Sequence, residues 1–246
     1  MGQGVLIEDN HIVNKNPATG EVISHVACTT IQELDEKIAK AKQAAASWAD
    51  IEASERISLL KKGLAALSGK SNRLQELIVA EMGKPLEQAI EEVEDATSKD
   101  EYLTILEASL QPKTHGSSVV VRQPIGSAGI LLPWNFPADE AMLLVLPSLA
   151  SGNTAIVKPS EVAPDTGALL VNTMASFLPP NVLQLAQGDG TVGAHLVAHP
   201  DIDMICMTGS TATGKRIKEN SGLKRLVLEM GGKVRIRIIA QCYIVD

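Results

Sequence analysis

Apolar residues recur at helical spacing through the first hundred positions, and strand patterns alternate with helix patterns beyond them. Ile31, Leu34, Ile38, Ala41 and Ala45 share one face at a period of about 3.6, which predicts an amphipathic helix. Thr30 with Glu33 supplies a capping box for its start. Ile57, Leu60, Leu64 and Leu67 predict a second helix ending near Gly69, and Leu74, Leu77 and Ile78 a third ending at Gly83-Lys84-Pro85. Pro85 suits the first turn of a long fourth helix that carries Leu86, Ile90 and Val93 and runs to about Leu106. Ahead of these, NKNPATGEVISHV (14–26) joins turn chemistry at Asn16-Pro17 and Thr19-Gly20 to alternation at Val22, Ser24 and Val26, as in a strand leaving a turn.

Ser117 to Arg122 (SSVVVR) is a short β-branched run closed by Pro124. From Ile125 the pattern predicts strands over 125–132, 154–158, 182–186, 202–207 and 224–228, with helices around 138–150, 164–177, 191–198 and 211–220. Such alternation means βαβ units, hence an α/β, Rossmann-like, doubly wound parallel sheet with helices on both faces. Ligands of such sheets bind beyond the carboxyl ends of the strands. PWNFP, KPSE, GDGTVG, TGS and Glu229 follow the five predicted strands in turn.

Composition narrows the partners. The 246 residues are 45% hydrophobic, enough to bury about 70–75% of the unfolded surface. The net charge of -7, with no basic stripe, argues against nucleic acid or an anionic membrane as the main partner. No run of about 18 apolar residues offers a membrane span. MGQGVLIEDN has neither a secretory nor a transit pattern, and Leu6 stands where myristoylation needs Ser or Thr. Cys28, Cys206 and Cys242 form no disulfide framework and no zinc spacing, so no metal is assigned and a reducing, cytoplasmic location is expected.

Each motif has a bland alternative. GDGTVG (188–193) fits a phosphate-cradling G-x-G-x-x-G at a helix start, or a plain glycine turn. GSTATGK (209–215) matches the start of a P-loop, but Arg216 replaces the hydroxyl residue that would hold magnesium, which disfavours a nucleotide triphosphatase. PWNFP (133–137) sets the Asn135 amide between two prolines, where it can donate to a developing oxyanion; the alternative is a proline turn with Trp134 as a core plug. Glu229 ends an apolar strand, either as a general base whose pKa a partly desolvated cleft would raise, or as an edge carboxylate paired with Lys233 or Arg225.

In order and spacing, NPATGEV, PWNFP, SGNTAIVKPSEVAP (151–164), VAHPDIDMICMTGSTATGKRI (197–217) and LEMGGK (228–233) resemble the aldehyde dehydrogenase superfamily, of the succinate-semialdehyde-like type, over roughly residues 12–233. The resemblance implies oxidation of an aldehyde to an acid with NAD or NADP: a cysteine thiolate attacks, hydride passes to the nicotinamide, and water releases the product. It implies that Asn135 stabilises the oxyanion and Glu229 is the general base. Lys158 and Glu161 would hold the adenosine ribose with Ser160 between them, and Leu132, Pro133 and Trp134 would line the cleft. Gly190 and Gly193 would lie near the adenine, Gly209 and Ser210 at the pyrophosphate, Met230 and Gly231 beside the nicotinamide. A carboxylate at Glu161 would repel a 2′-phosphate, which favours NAD.

On this reading, 1–112 is the helical part of the cofactor-binding domain, 113–124 a β arm used in oligomers, 125–233 the dinucleotide-binding sheet and 234–246 a divergent tail. Without neighbours the arm is an exposed β edge. Met207 replaces a common aromatic, and Leu144 a common Lys or Arg. The family's nucleophile lies well beyond the glutamate in a Gly-Gln-x-Cys context, whereas only 17 residues follow Glu229 and Gln241-Cys242 lacks that context. The expectation is a chain without its nucleophile or catalytic domain, inactive alone. The alternative is a non-catalytic NAD(P)-binding or interfering partner of a full-length relative or of its own copies.

Overall fold

The computed structural model describes residues 6–232; Lys233, Cys242 and the 234–246 segment lie outside them. The chain opens with an antiparallel ribbon of β1 (Leu6–Glu8), β2 (His11–Lys15) and β3 (Val22–Ala27), in that order across the sheet. The alternation predicts only the last. Asp9 and Asn10 close the first hairpin with φ of 45° and 62°, the left-handed pair that a two-residue hairpin turn requires. Asn16 shapes the next turn, its side-chain oxygen accepting the amides of Ala18 (2.9 Å) and Thr19 (3.2 Å).

α1 (Ile31–Ala49) starts at the expected capping box: Glu33 N–H donates to Thr30 Oγ1 at 3.2 Å, and Thr30 N–H to the Glu33 carboxylate at 2.7 Å. Leu34, Ile38 and Ala41 are buried and the stripe continues to Trp48, while Ile31 is exposed and Ala45 half-buried. α2 (Ala53–Ser68) and α3 (Ser71–Met82) end at Gly69 and Gly83 as read. Gly83 takes φ +67°, and a Cβ there would stand 3.2 Å from Pro17 Cγ, so both backbone and neighbour call for glycine.

The single long helix expected after Pro85 is two helices, α4 (Leu86–Thr97) and α5 (Asp100–Leu110). The backbone leaves helical geometry at Ser98 (ψ 53°), just after Thr97 turns its hydroxyl back onto the Val93 carbonyl at 2.8 Å. The break lets α5 pack on α2 and α6 and bury Leu103. α4 buries Ala89, Glu92, Val93 and Ala96, and Pro85 is its N-cap residue rather than part of its first turn. β4 (Lys113–His115) and β5 (Ser118–Val120) then form a separate two-stranded ribbon, so the strand expected over 117–122 is shorter and belongs to a hairpin. Both of its strands are exposed throughout.

The rest alternates as predicted: β6 (Ser127–Leu131), α6 (Asp139–Ala150), β7 (Thr154–Lys158), α7 (Pro164–Ala175), β8 (Leu183–Leu185), α8 (Gly190–Ala198), β9 (Met204–Gly209), α9 (Thr211–Asn220) and β10 (Arg225–Met230). The five strands are all parallel, in the order β10-β9-β6-β7-β8. That is the doubly wound order, with its reversal between β6 and β9. Alternate strand residues enter two cores. Ile130, Val157 and Cys206 pack with α2, α4, α6 and α7, whereas Ile156, Ile205 and Met207 pack with α1, α8 and α9. Leu144 is buried in the first core, which accounts for an apolar residue there. Gly129 in β6 lets α8 lie close: a Cβ would fall 2.9 Å from Ile205 Cδ1 and 3.1 Å from Leu196 Cγ.

Two buried charges brace this frame. Arg56 donates to the carbonyls of Ala150 (3.0 Å), Ala49 (3.2 Å) and Ile51, tying the C-terminal ends of α1 and α6 together. Helix C-termini carry partial negative charge, and with the nearby charge of Glu52 they hold the buried cation without an ion pair among the described residues. Glu81 of α3 caps α7, which has no cap of its own, accepting from the amides of Asp165 (2.8 Å) and Thr166 (2.9 Å) and from Asn14 Nδ2 (2.8 Å). Burial pushes the Glu81 carboxyl above the usual range against the opposing pull of these hydrogen bonds.

Candidate functional site

The carboxyl edge of the sheet gathers the residues singled out by sequence. Beyond β6, Leu132 and Pro133 are buried, while Trp134, Asn135 and Phe136 are exposed. Leu132 N–H donates to the carbonyl of Lys158 at 3.0 Å, locking the ends of β6 and β7 together. Trp134 is 56% exposed and therefore no core plug. The Asn135 side chain makes no hydrogen bond among the described residues, while its backbone carbonyl is engaged by Lys84 at 2.8 Å.

Lys158 closes β7 and is buried. Its ammonium donates to the Pro159 carbonyl at 2.9 Å and to Glu161 at 3.1 Å, leaving one of three donors uncommitted among the described residues. Ser160, between them, accepts the Val162 amide at 3.3 Å. Gly193 sits above Lys158, where a methyl group would lie 3.4 Å from its Cδ. Asp189 caps α8 by accepting the Thr191 amide at 2.8 Å, and Gly190 faces open space. Ser210 caps α9 in the same way, accepting from Thr213 N–H at 3.1 Å.

Strand alternation sorts these groups onto two sides. Lys158 and Met230 lie on the side of α8 and α9, and Met230 rests on Gly214 of α9, where an added Cβ would fall 2.4 Å from its sulfur. Glu229 pairs in register with Thr208, whose hydroxyl donates to Glu140 of α6 at 2.9 Å, so Glu229 lies on the α6 side. The loop bearing Asn135 leads into α6 on that side as well. Gly209 and Gly231 meet along the dividing line, the amide of Gly231 reaching the Gly209 carbonyl at 3.4 Å. The ribose and adenine candidates therefore share one side, and the two candidate chemical groups share the other. Glu229 is exposed and makes no ion pair with Arg225 among the described residues, so they do not supply the desolvation expected of it.

Both described cysteines are buried. Burial pushes the Cys206 thiol up to about 11, and burial followed by the charge of Asp189 raises that of Cys28. Sequence reading missed Lys84, Glu92, Glu140 and Thr208. Glu92 left a signal, an acid within the apolar stripe of α4, and Thr208 stood unassigned in the TGS after the fourth strand. One set of metal-type ligands also converges, Asp35 with His195 and His199. His199 Nδ1 accepts the Asp201 amide at 3.1 Å, so its proton sits on Nε2, which faces Asp35 at 3.5 Å. A ligating imidazole would instead donate from its second nitrogen, so the arrangement suits hydrogen bonds to Asp35 better than a metal.

Comparison with known proteins agrees with the fold. The model of the aldehyde dehydrogenase family matches residues 6–244. Mitochondrial succinate-semialdehyde dehydrogenase of Arabidopsis thaliana is 35% identical over 239 residues, covering 91% of this chain and 44% of that protein. The crystal structure of aldehyde dehydrogenase C from Pseudomonas syringae, a C291A mutant with NAD+ and octanal, superposes with a TM-score of 0.87 at 32% identity, covering 92% of this chain and 48% of that one. NADP-dependent glyceraldehyde-3-phosphate dehydrogenase from Bacillus halodurans C-125, complexed with NADP, gives 0.85 at 31% identity, covering 92% and 50%. The chain thus spans about half the length of the relatives it matches. No described helix is long and apolar enough to cross a membrane. With the family model matched over nearly the whole chain and the fold shared, the chain belongs to the aldehyde dehydrogenase family.

Proposed function

We propose that this chain is the dinucleotide-binding part of an NAD(P)-dependent aldehyde dehydrogenase that oxidises a small aldehyde to its acid. The observation that carries the reading is the two-sided arrangement along the carboxyl edge at the β6/β9 reversal. The residues fit a dinucleotide. Two capped helix starts open at that edge, Gly190 and Gly231 leave open space for close backbone approach, and Lys158 keeps a donor for a ribose hydroxyl. Lys158, Ser160 and Glu161 would hold the adenosine ribose, Gly190 and Gly193 the adenine side, Gly209 and Ser210 the pyrophosphate. Leu132, Pro133, Trp134, Met230 and Gly231 would flank the remainder. Bound there, the cofactor supplies a hydride acceptor.

On the α6 side, the Asn135 amide donates to the oxygen of the aldehyde as negative charge develops on it, and Glu229 takes a proton from the attacking thiol or water. The attacking thiol belongs to a cysteine other than Cys28 and Cys206, both buried with raised thiols. Glu161 favours NAD over NADP. Titration of the pure chain with NADH, followed by fluorescence, tests the reading. Saturable binding is expected, weakened about 10-fold or more in Lys158→Met, the worth of one charge-assisted hydrogen bond. No binding at millimolar NADH would sink it. A second reading, a non-catalytic subunit pairing with its own copies or a longer relative, is favoured by the exposed β4–β5 ribbon and predicts loss of assembly when that ribbon is deleted.

A further inference from the structure

The loop that carries Asn135 is held by two side chains remote in sequence. Lys84 is presented by a rigid turn, with left-handed Gly83 closing α3 before it and Pro85 opening α4 after it. Its ammonium pairs with Glu92 at 2.5 Å, donates to the Asn135 carbonyl at 2.8 Å and stands 3.8 Å over the Phe136 ring. The Glu92 side chain is fully buried, and its other oxygen accepts the Ala138 amide at 2.8 Å. The loop's flanks are also fixed: Leu132 bonds to the Lys158 carbonyl, and Glu140 receives the Thr208 hydroxyl. A pair needed only to neutralise a buried acid would stop at the Lys84–Glu92 contact. Here three further contacts from the same two side chains all end on residues 135–138.

We infer that Lys84 and Glu92 are positioning residues for the Asn135 amide. With its carbonyl spent on Lys84, the Asn135 peptide plane is fixed, and so is the direction in which the side chain leaves the backbone. The side-chain amide makes no bond among the described residues and is left to meet a ligand oxygen. The inference rests on the oxyanion role proposed for Asn135, but the clamp itself is measurable without it.

The chain has two tryptophans, Trp48 at 1% exposure and Trp134, in the clamped loop, at 56%. Acrylamide therefore separates them, and the anisotropy decay of the quenchable component reports the loop alone. Lys84→Met with Glu92→Gln, which leaves no unpaired buried charge, is expected to at least double the anisotropy lost by Trp134 in the first nanosecond. Lys84→Arg, which keeps the charge and can reach both partners, should recover most of the wild-type value. Asn135→Ala should change nothing, because the clamp grips its backbone. An unchanged Trp134 decay in the double variant overturns the inference. Equal loosening of Trp48 and Trp134 also overturns it, since the pair would then serve the fold at large. Failure of the wild-type chain to bind NADH counts against the proposed function alone, and the anisotropy still decides the clamp.

Discussion

Replacing Arg56 with leucine isolates the brace at the amino edge of the sheet, opposite the candidate site. The guanidinium makes three close bonds to carbonyls that end α1 and α6 and a fourth, marginal one to Trp48 at 3.5 Å. At about 1.5 kcal/mol each, three charge-assisted bonds total roughly 4–5 kcal/mol. Desolvation, which lowers the Arg56 pKa, is relieved in the variant, and leucine burial adds to that return, together roughly 2 kcal/mol. The net loss is about 2–3 kcal/mol, which in a domain of this size lowers Tm by roughly 5–10 °C. Arg56→Lys, able to serve fewer carbonyls, should fall between. Thermal unfolding followed by far-ultraviolet circular dichroism measures it, and NADH titration well below Tm should give an unchanged Kd. A Tm that holds or rises would refute the brace. An altered Kd in a still-folded variant would refute the separation of brace from site.

Two further perturbations address single groups. The Glu81 carboxyl is raised on folding, so the native state binds more protons than the unfolded chain between the ordinary value of 4.5 and the raised one. Its contribution to stability is thus fully present below 4.5 and declines as pH climbs through the folded value. Glu81→Gln should remove that decline and, by setting an NH2 donor against one of the two α7 amides, cost about 1–3 kcal/mol at neutral pH; urea midpoints from pH 4 to 8 would show both. Glu161→Gln removes the carboxylate and frees the Lys158 ammonium, so NADPH should gain about 5–10-fold on NADH, and an unchanged ratio of Kd values would exclude Glu161 as the discriminator.

The sheet half of the fold was legible because its three central strands, β6, β7 and β9, are buried on both faces, and buried parallel strands read as apolar runs between turn residues. Lys158 and Ser210 could be placed for the same reason, since each sits where such a run stops. The α4/α5 break was not legible, since no Gly or Pro marks Ser98 and tertiary packing of Leu103 decides it. Leu86 shows the limit of periodicity: it fits the apolar stripe yet is 58% exposed, while Glu92 is buried because Lys84 and Ala138 meet it. Arg56, Glu81 and Lys84 were missed together, because each is held in part by backbone groups brought in from as far as 94 residues away.

Asn14 and Ser24 of the first ribbon both donate to Asp165, which lies 151 and 141 residues downstream. At a synthesis rate of about 5–20 residues per second, the ribbon is made roughly 7–30 s before this partner. Hairpins close within about 1–10 μs, so its own strand pairing is long finished by then. Through that interval the Asp165 part of its polar docking site is missing, and Glu81, 67 residues beyond Asn14, is the earlier partner that can meet it. Its polar residues Asn14 and Ser24 keep the waiting face wetted until the start of α7 arrives to take them.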